Sequence, residues 1–153
     1  MADSQRPTFS SGVAYRDPRA ALAWLEKAFG FETTMVVENE DGQIGHSEMR
    51  FDGGLIYVGR EWDEHHKSPA GLGGVNTQSI HVHLHSGIDQ HYARAKAAGA
   101  VIVREIADQF YGDRVYGAAD PEGHIWTFGQ TLKAMTNAEM EAASGGARIR
   151  ETL

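Results

Sequence analysis

The sequence predicts an α+β fold: two tandem βαβββ modules, forming curved mixed sheets, within one domain over residues 8–130. Two observations predict it. Strand-like and helix-like segments recur in the same order, and a single offset aligns the recurrences. Gly30 and Gly99, Gly54 and Gly123, and Val13 and Val82 are each 69 positions apart. One offset shared by helix ends, hairpin turns and first strands indicates internal duplication.

Module one covers residues 8–60. Residues 8–15 read as a strand, and Asp17-Pro18 supplies a helix N-cap followed by proline at the first helical position. Ala21, Trp24, Leu25, Ala28 and Phe29 then fall on one helical face, and Gly30 terminates it. Residues 33–38, 44–51 and 55–59 are strand-like, separated by turns at Asp41-Gly42 and Asp52-Gly53-Gly54. Module two, 78–130, repeats this order: a strand at 78–84, a helix capped by Asp89 and ended by Gly99, and strands at 101–106, 114–119 and 124–128. Asp120-Pro121-Glu122-Gly123 turns the last hairpin. The intervening segment, 61–77, is polar and Gly-rich and reads as a mobile linker or loop. The C-terminal extension, 131–153, holds a capping box at Thr136 and Glu139, one short helix, and then a frayed tail.

The bulk numbers narrow the function. A chain of 153 residues buries a core without staples. It has no cysteine, which removes thiolate metal sites and thiol nucleophiles and suits a reducing, cytoplasmic setting. The formal charge of −7 argues against nucleic acid. No apolar run is long enough to cross a membrane, and the N-terminus lacks the apolar centre of a signal peptide.

Tyr15-Arg-Asp-Pro18, Trp24-Leu-Glu-Lys-Ala-Phe-Gly-Phe31, Tyr111-Gly-Asp-Arg114 and Asp120-Pro-Glu-Gly-His-Ile-Trp-Thr-Phe-Gly129 carry a family pattern. On these motifs the chain resembles the glyoxalase/bleomycin-resistance/extradiol dioxygenase (vicinal oxygen chelate) superfamily. The resemblance implies a ligand cavity enclosed by paired modules, frequent homodimers and, in the enzymes, a divalent metal held by His, Gln or Glu on the first and last strands. Carried over by position, those ligand sites fall on Ser10, Ser79, Thr127 and Val58. None is a histidine or carboxylate, and hydroxyls are weak ligands beside those groups. This points to the bleomycin-resistance-like branch: a small-molecule ligand, no metal cofactor, and a homodimer.

Other residues can carry a site. His81 and His83 alternate with Ile80, Val82 and Leu84, so strand geometry sets the imidazoles opposite a helix-facing apolar row. His46 and Glu48 likewise share a face with Arg50. Together His46, Glu48, His81 and His83 would make a displaced site for one divalent ion, the basis of the alternative reading as a metal-dependent lyase, isomerase or dioxygenase. Whether a reaction is catalysed is left open, and so is a partner-binding module with a vestigial cavity. Trp126 and Phe128 share a strand face as cavity wall or core, with Tyr57 as the repeat partner of Trp126. Trp62 covers the cavity mouth or anchors the linker. Arg114 binds an acidic group or pairs with Asp113 or Glu105.

Overall fold

The computed structural model describes residues 6–152. In chain order the elements are β1 (Ser11–Tyr15), α1 (Pro18–Phe29), β2 (Glu32–Glu38), β3 (Ile44–Phe51) and β4 (Gly54–Arg60). A single 3-10 turn (Ala70–Leu72) follows, then β5 (Ser79–His83), α2 (Ile88–Ala97), β6 (Val101–Asp108), β7 (Asp113–Ala119), β8 (Ile125–Thr131) and α3 (Asn137–Ser144). The strands form two four-stranded sheets of identical topology, β1-β4-β3-β2 and β5-β8-β7-β6. The first strand of each sheet runs parallel to the last, and the other pairs are antiparallel. This is the repeated βαβββ architecture that the 69-residue offset predicts.

Local chemistry accounts for the helices. Asp17 caps α1, its Oδ1 accepting from the Ala20 amide at 3.0 Å, and Gly30 closes the helix in the left-handed region at φ 73°. Gly99 sits at φ 90° after α2. The expected Asp89 cap is corrected. Helix α2 starts two residues earlier than an Asp89 cap would set it, after Gly87 at φ 76° with no side-chain cap, and the Ile88 amide donates to Gln130 Oε1 at 3.0 Å instead. Asp89 lies in the first turn, where a carboxylate favours the helix dipole. The capping box at Thr136 and Glu139 is present. The chain beyond α3 folds back at first rather than fraying. The Ala147 amide donates to Ser144 Oγ and the Ile149 amide to Glu141 Oε1, at 2.8 and 2.6 Å. Residues 1–5, where no signal-peptide centre is expected, and the end of the tail at Leu153 lie outside the described residues.

The two modules share one core. Phe29, at the end of α1, sits against Trp126 and Phe128 of the opposite sheet, with ring centroids 5.7 and 4.7 Å away. Phe31 bridges Trp126 and Phe51, 5.4 Å from each. Trp24 Nε1 donates to the Ala98 carbonyl at 3.0 Å, tying α1 to the end of α2. The Asp120-Pro-Glu-Gly turn also docks the modules. Asp120 Oδ2 accepts from Tyr15 Oη at 2.6 Å and from Trp126 Nε1 at 3.0 Å. Glu122 accepts the amides of Arg16 and Asp17, at 2.6 and 3.0 Å.

The repeat slips by one residue in the last hairpin. In module one Phe51 pairs with Gly54 around Asp52-Gly53, with Asp52 at φ 54°. In module two the Asp120 amide reaches the His124 carbonyl at 3.0 Å around Pro121, Glu122 and Gly123, a longer turn. The row His81–Thr127–Gly117 therefore matches Gly12–Tyr57–Glu48, and Val82–Phe128–Tyr116 matches Val13–Val58–Ser47. Two expectations change. Tyr57 is the partner of Thr127 rather than of Trp126, and Val58 is a buried residue on the helix-facing side.

Candidate functional site

Strand alternation holds on β5. Ile80 and Val82 lie beside the shared core, while His81 and His83 point from the other face and are exposed. Because β5 is an edge strand of its sheet, both faces reach the space beside it. A cleft of about 370 Å³ opens there, between β5 and the β3–β4 hairpin of module one. Phe9, Phe31, Met49, Phe51, Leu55, Ile56, Ile80, Val82 and Trp126 supply its apolar wall, and Arg50, Asp52, His81 and His83 its charged and imidazole positions. Met49, Phe51, Ile56, Ile80, Val82 and Trp126 come from the helix-facing side of the two sheets, which explains why Ile80 and Val82 remain only half-buried. Asp52 at the hairpin tip pairs with His85 Nε2 at 2.7 Å across the module boundary. Trp126 is fully buried, a core residue with an edge on the cleft.

Glu48 stands on the opposite face of β3. It is buried, and Arg6 Nη1 reaches its Oε1 at 2.9 Å while His46 Nε2 lies at 3.3 Å. Burial pushes the Glu48 carboxyl up, but the hydrogen bonds and charges of Arg6 and His46 outweigh it and hold the group below its ordinary value. Arg6 also donates to Tyr57 Oη at 3.2 Å, so the N-terminal segment crosses this face of module one. His46 and Glu48 thus belong to one sheet and His81 and His83 to the other. Among the described residues no group of three or more His, Asp or Glu side chains surrounds a common point that would hold a metal.

The positions carried over for the family metal fare no better chemically. The corrected register replaces Val58 with Tyr57, giving Ser10, Ser79, Thr127 and Tyr57. Four neutral hydroxyls do not fit a divalent transition ion, which wants imidazole, carboxylate or thiolate. Ser10, Ser79 and Thr127 line neither this cleft nor the second one described below.

Two sequence expectations are corrected. Arg114 pairs with Asp89 through Nε and with Asp108 through Nη1, both at 2.8 Å, and not with Asp113 or Glu105. The segment 61–77 is anchored rather than loose. Ser68 is fully buried, its amide and Oγ both donate to Glu61 Oε1 at 2.8 Å, and the Ala70 amide donates to the Glu122 carbonyl at 2.9 Å. Trp62 stays 65% exposed and stacks on His66, centroids 4.1 Å apart.

The cleft wall from module one was not singled out in the sequence. Met49 and Phe51 were readable as one strand face, but only the packing of the β3–β4 hairpin against β5 shows that this face borders a cavity.

The family model described as the Glyoxalase/Bleomycin resistance protein/Dioxygenase superfamily matches residues 10–128. The chain belongs to that superfamily. It is 30% identical over 147 residues to the uncharacterized protein Mb0911c of Mycobacterium bovis, covering 94% of this chain and 95% of the relative. The crystal structure of TioX from Micromonospora sp. ML1 aligns with a TM-score of 0.68 and 33% identity, covering 82% of this chain and 99% of TioX. A superfamily member from Sphaerobacter thermophilus aligns at 0.65 with 18% identity over 82% of this chain and 98% of its own, a likeness of fold.

Proposed function

We propose that this superfamily member is a cytoplasmic, metal-independent binding protein for a small, largely apolar organic molecule. The site is the cleft between β5 and the β3–β4 hairpin. The observation that carries this reading is the cleft's lining: nine apolar residues, five of them aromatic or sulfur-bearing, beside a short polar edge of Arg50, Asp52, His81 and His83. A concave apolar surface with a few placed polar groups is what holds and orients a flat organic ligand. The hydroxyl set at the family metal positions supports binding without a metal, and the absence of cysteine suits the cytoplasm. Two copies associate as a dimer, because the outer strands β2 and β6 leave Val36, Val37, Val101 and Val103 exposed.

The neutral fluorophore Nile red tests the site. Its emission should rise on saturable binding, and it should raise Tm by mass action. Ile80→Trp, which fills the cleft from the edge strand, should weaken binding at least roughly tenfold while leaving the circular dichroism unchanged. Equal binding to the filled variant would place the ligand elsewhere. A stoichiometric divalent ion in protein purified without added metal would overturn the metal-free reading.

A further inference from the structure

A second cleft, of about 490 Å³, lies where the 61–77 segment crosses module one. Its lining is electrically unlike the rest of the chain. The protein has 21 Asp and Glu and a formal charge of −7, yet among the described residues no carboxylate lines this cleft. Arg60, Lys67, His46, His65, His66 and His124 do. We propose that this cleft binds a planar organic anion of the aromatic carboxylate class, with Trp62 as its stacking surface and Arg60 and Lys67 as its charge partners.

The residues are available for this. Arg60 donates to the neutral Gln43 and makes no ion pair among the described residues. Lys67 has one carboxylate near it, Glu61, whose Oε2 stands at a loose 3.9 Å while Ser68 holds Oε1. The neighbouring acids are accounted for: Asp63 lies 2.7 Å from His66, Glu64 3.5 Å from His65, and Glu48 3.3 Å from His46. Each sits behind a histidine rather than on the wall. His124 is fixed differently, its Nε2 donating to the Ala14 carbonyl at 2.6 Å. Trp62 stacks one way on His66 and keeps most of its indole exposed. An exposed tryptophan beside Arg60, which has no ion-pair partner among the described residues, and the loosely paired Lys67 suits a ligand with a flat body and one negative end. In a chain this acidic a free anion is repelled over most of the surface, so a carboxylate-free basic cleft also selects where it lands.

The test uses the full-length protein and two probes of one shape, naphthalene-2-carboxylate and the neutral naphthalene-2-carboxamide. The carboxylate should quench tryptophan emission saturably, bind at least about tenfold tighter than the amide, and weaken as salt is raised. Arg60→Gln should cost at least roughly tenfold in carboxylate affinity without shifting Tm, since Arg60 is exposed. Trp62→Phe should remove most of the quenching signal, while the cleft-filling Ile80→Trp should leave carboxylate affinity unchanged. Equal affinity for the two probes, indifference to Arg60→Gln, loss of binding with Ile80→Trp, or no saturable binding would each overturn the proposal.

Discussion

At the scale of single residues, Phe29 and His91 hold the two modules to each other. Phe29 is 0% exposed and meets rings from α1, module two and α2. Phe29→Ala is expected to cost about 3–5 kcal/mol, because so crowded a site collapses poorly. Urea unfolding at matched m-values measures it. His91 is buried between them: Nε2 lies 2.8 Å from the Phe29 carbonyl and Nδ1 2.7 Å from Tyr116 Oη. The carbonyl can only accept, so Nε2 carries the proton and Nδ1 accepts from the tyrosine. Burial lowers the His91 pKa, with Arg94 adding to the effect against the Phe29 hydrogen bond. The folded state therefore resists protonation where the unfolded chain accepts it. The unfolded chain binds more protons below about pH 6.5, so stability is expected to fall as pH drops from there. Comparing Tm against pH for the native chain and His91→Phe isolates this group. Parallel curves would refute its role. The aromatic spacing of Phe29 was legible as a helix face. The partner of His91 was not, because a buried histidine and an exposed one look alike in a strand or helix pattern.

At the scale of elements, the punctuation was the most legible feature, and the turn lengths the least. Gly30 and Gly99 were readable as helix ends because each follows an apolar helical face and precedes a strand. Both adopt positive φ. Their surroundings differ, which sequence offset alone cannot show. A Cβ on Gly30 would meet Arg94 Nη1 at 2.8 Å, and that arginine donates from Nε to the Lys27 carbonyl and from Nη2 to that of Glu26, both at 2.8 Å. A Cβ on Gly99 meets nothing within 4 Å. Both Gly→Ala changes should cost about 1 kcal/mol or more in backbone strain. Gly30→Ala should cost more, since it also displaces the guanidinium that caps the carbonyls of α1. Chemical denaturation of the two variants side by side settles the order. Equal losses would mean that Arg94 contributes nothing. The one-residue slip in the β3–β4 hairpin escaped the sequence comparison for a physical reason. Asp52-Gly53 and Pro121-Glu122-Gly123 both satisfy a tight hairpin, so aligned glycines hid a change of strand face. That slip exchanged Val58 for Tyr57 and moved one candidate position from the core to the open face.

At the scale of the whole molecule, the repeat creates one shared core and leaves each sheet with two edge strands, β1 and β2 in one, β5 and β6 in the other. The join is concentrated on Asp120, a buried carboxylate that accepts from Tyr15 Oη, Trp126 Nε1 and the amides of Glu122 and His124. Asp120→Asn replaces one acceptor oxygen with a donor and leaves two of those donors unpaired. It should cost roughly 3 kcal/mol, read as a lowered urea midpoint, whereas Tyr15→Phe should cost less. The far side of each sheet has no such partner. β2 and β6 end the strand orders, and Met35, Val36, Val37, Val101 and Val103 are exposed along them. A free edge with exposed valines is a template for association unless it is covered. The simplest cover for a chain with an internal two-fold repeat is a second copy related by a two-fold axis, burying at least about 1,000 Å² in total. Sedimentation velocity at micromolar concentration should then show a dimer. The double substitution Val36→Lys with Val103→Lys should shift it to monomer, because lysine on an outer strand opposes pairing at little cost to a chain whose core lies elsewhere. A native chain that sediments only as monomer would mean that β2 and β6 stay open to solvent. A lysine variant that remains dimeric would move the contact to another face.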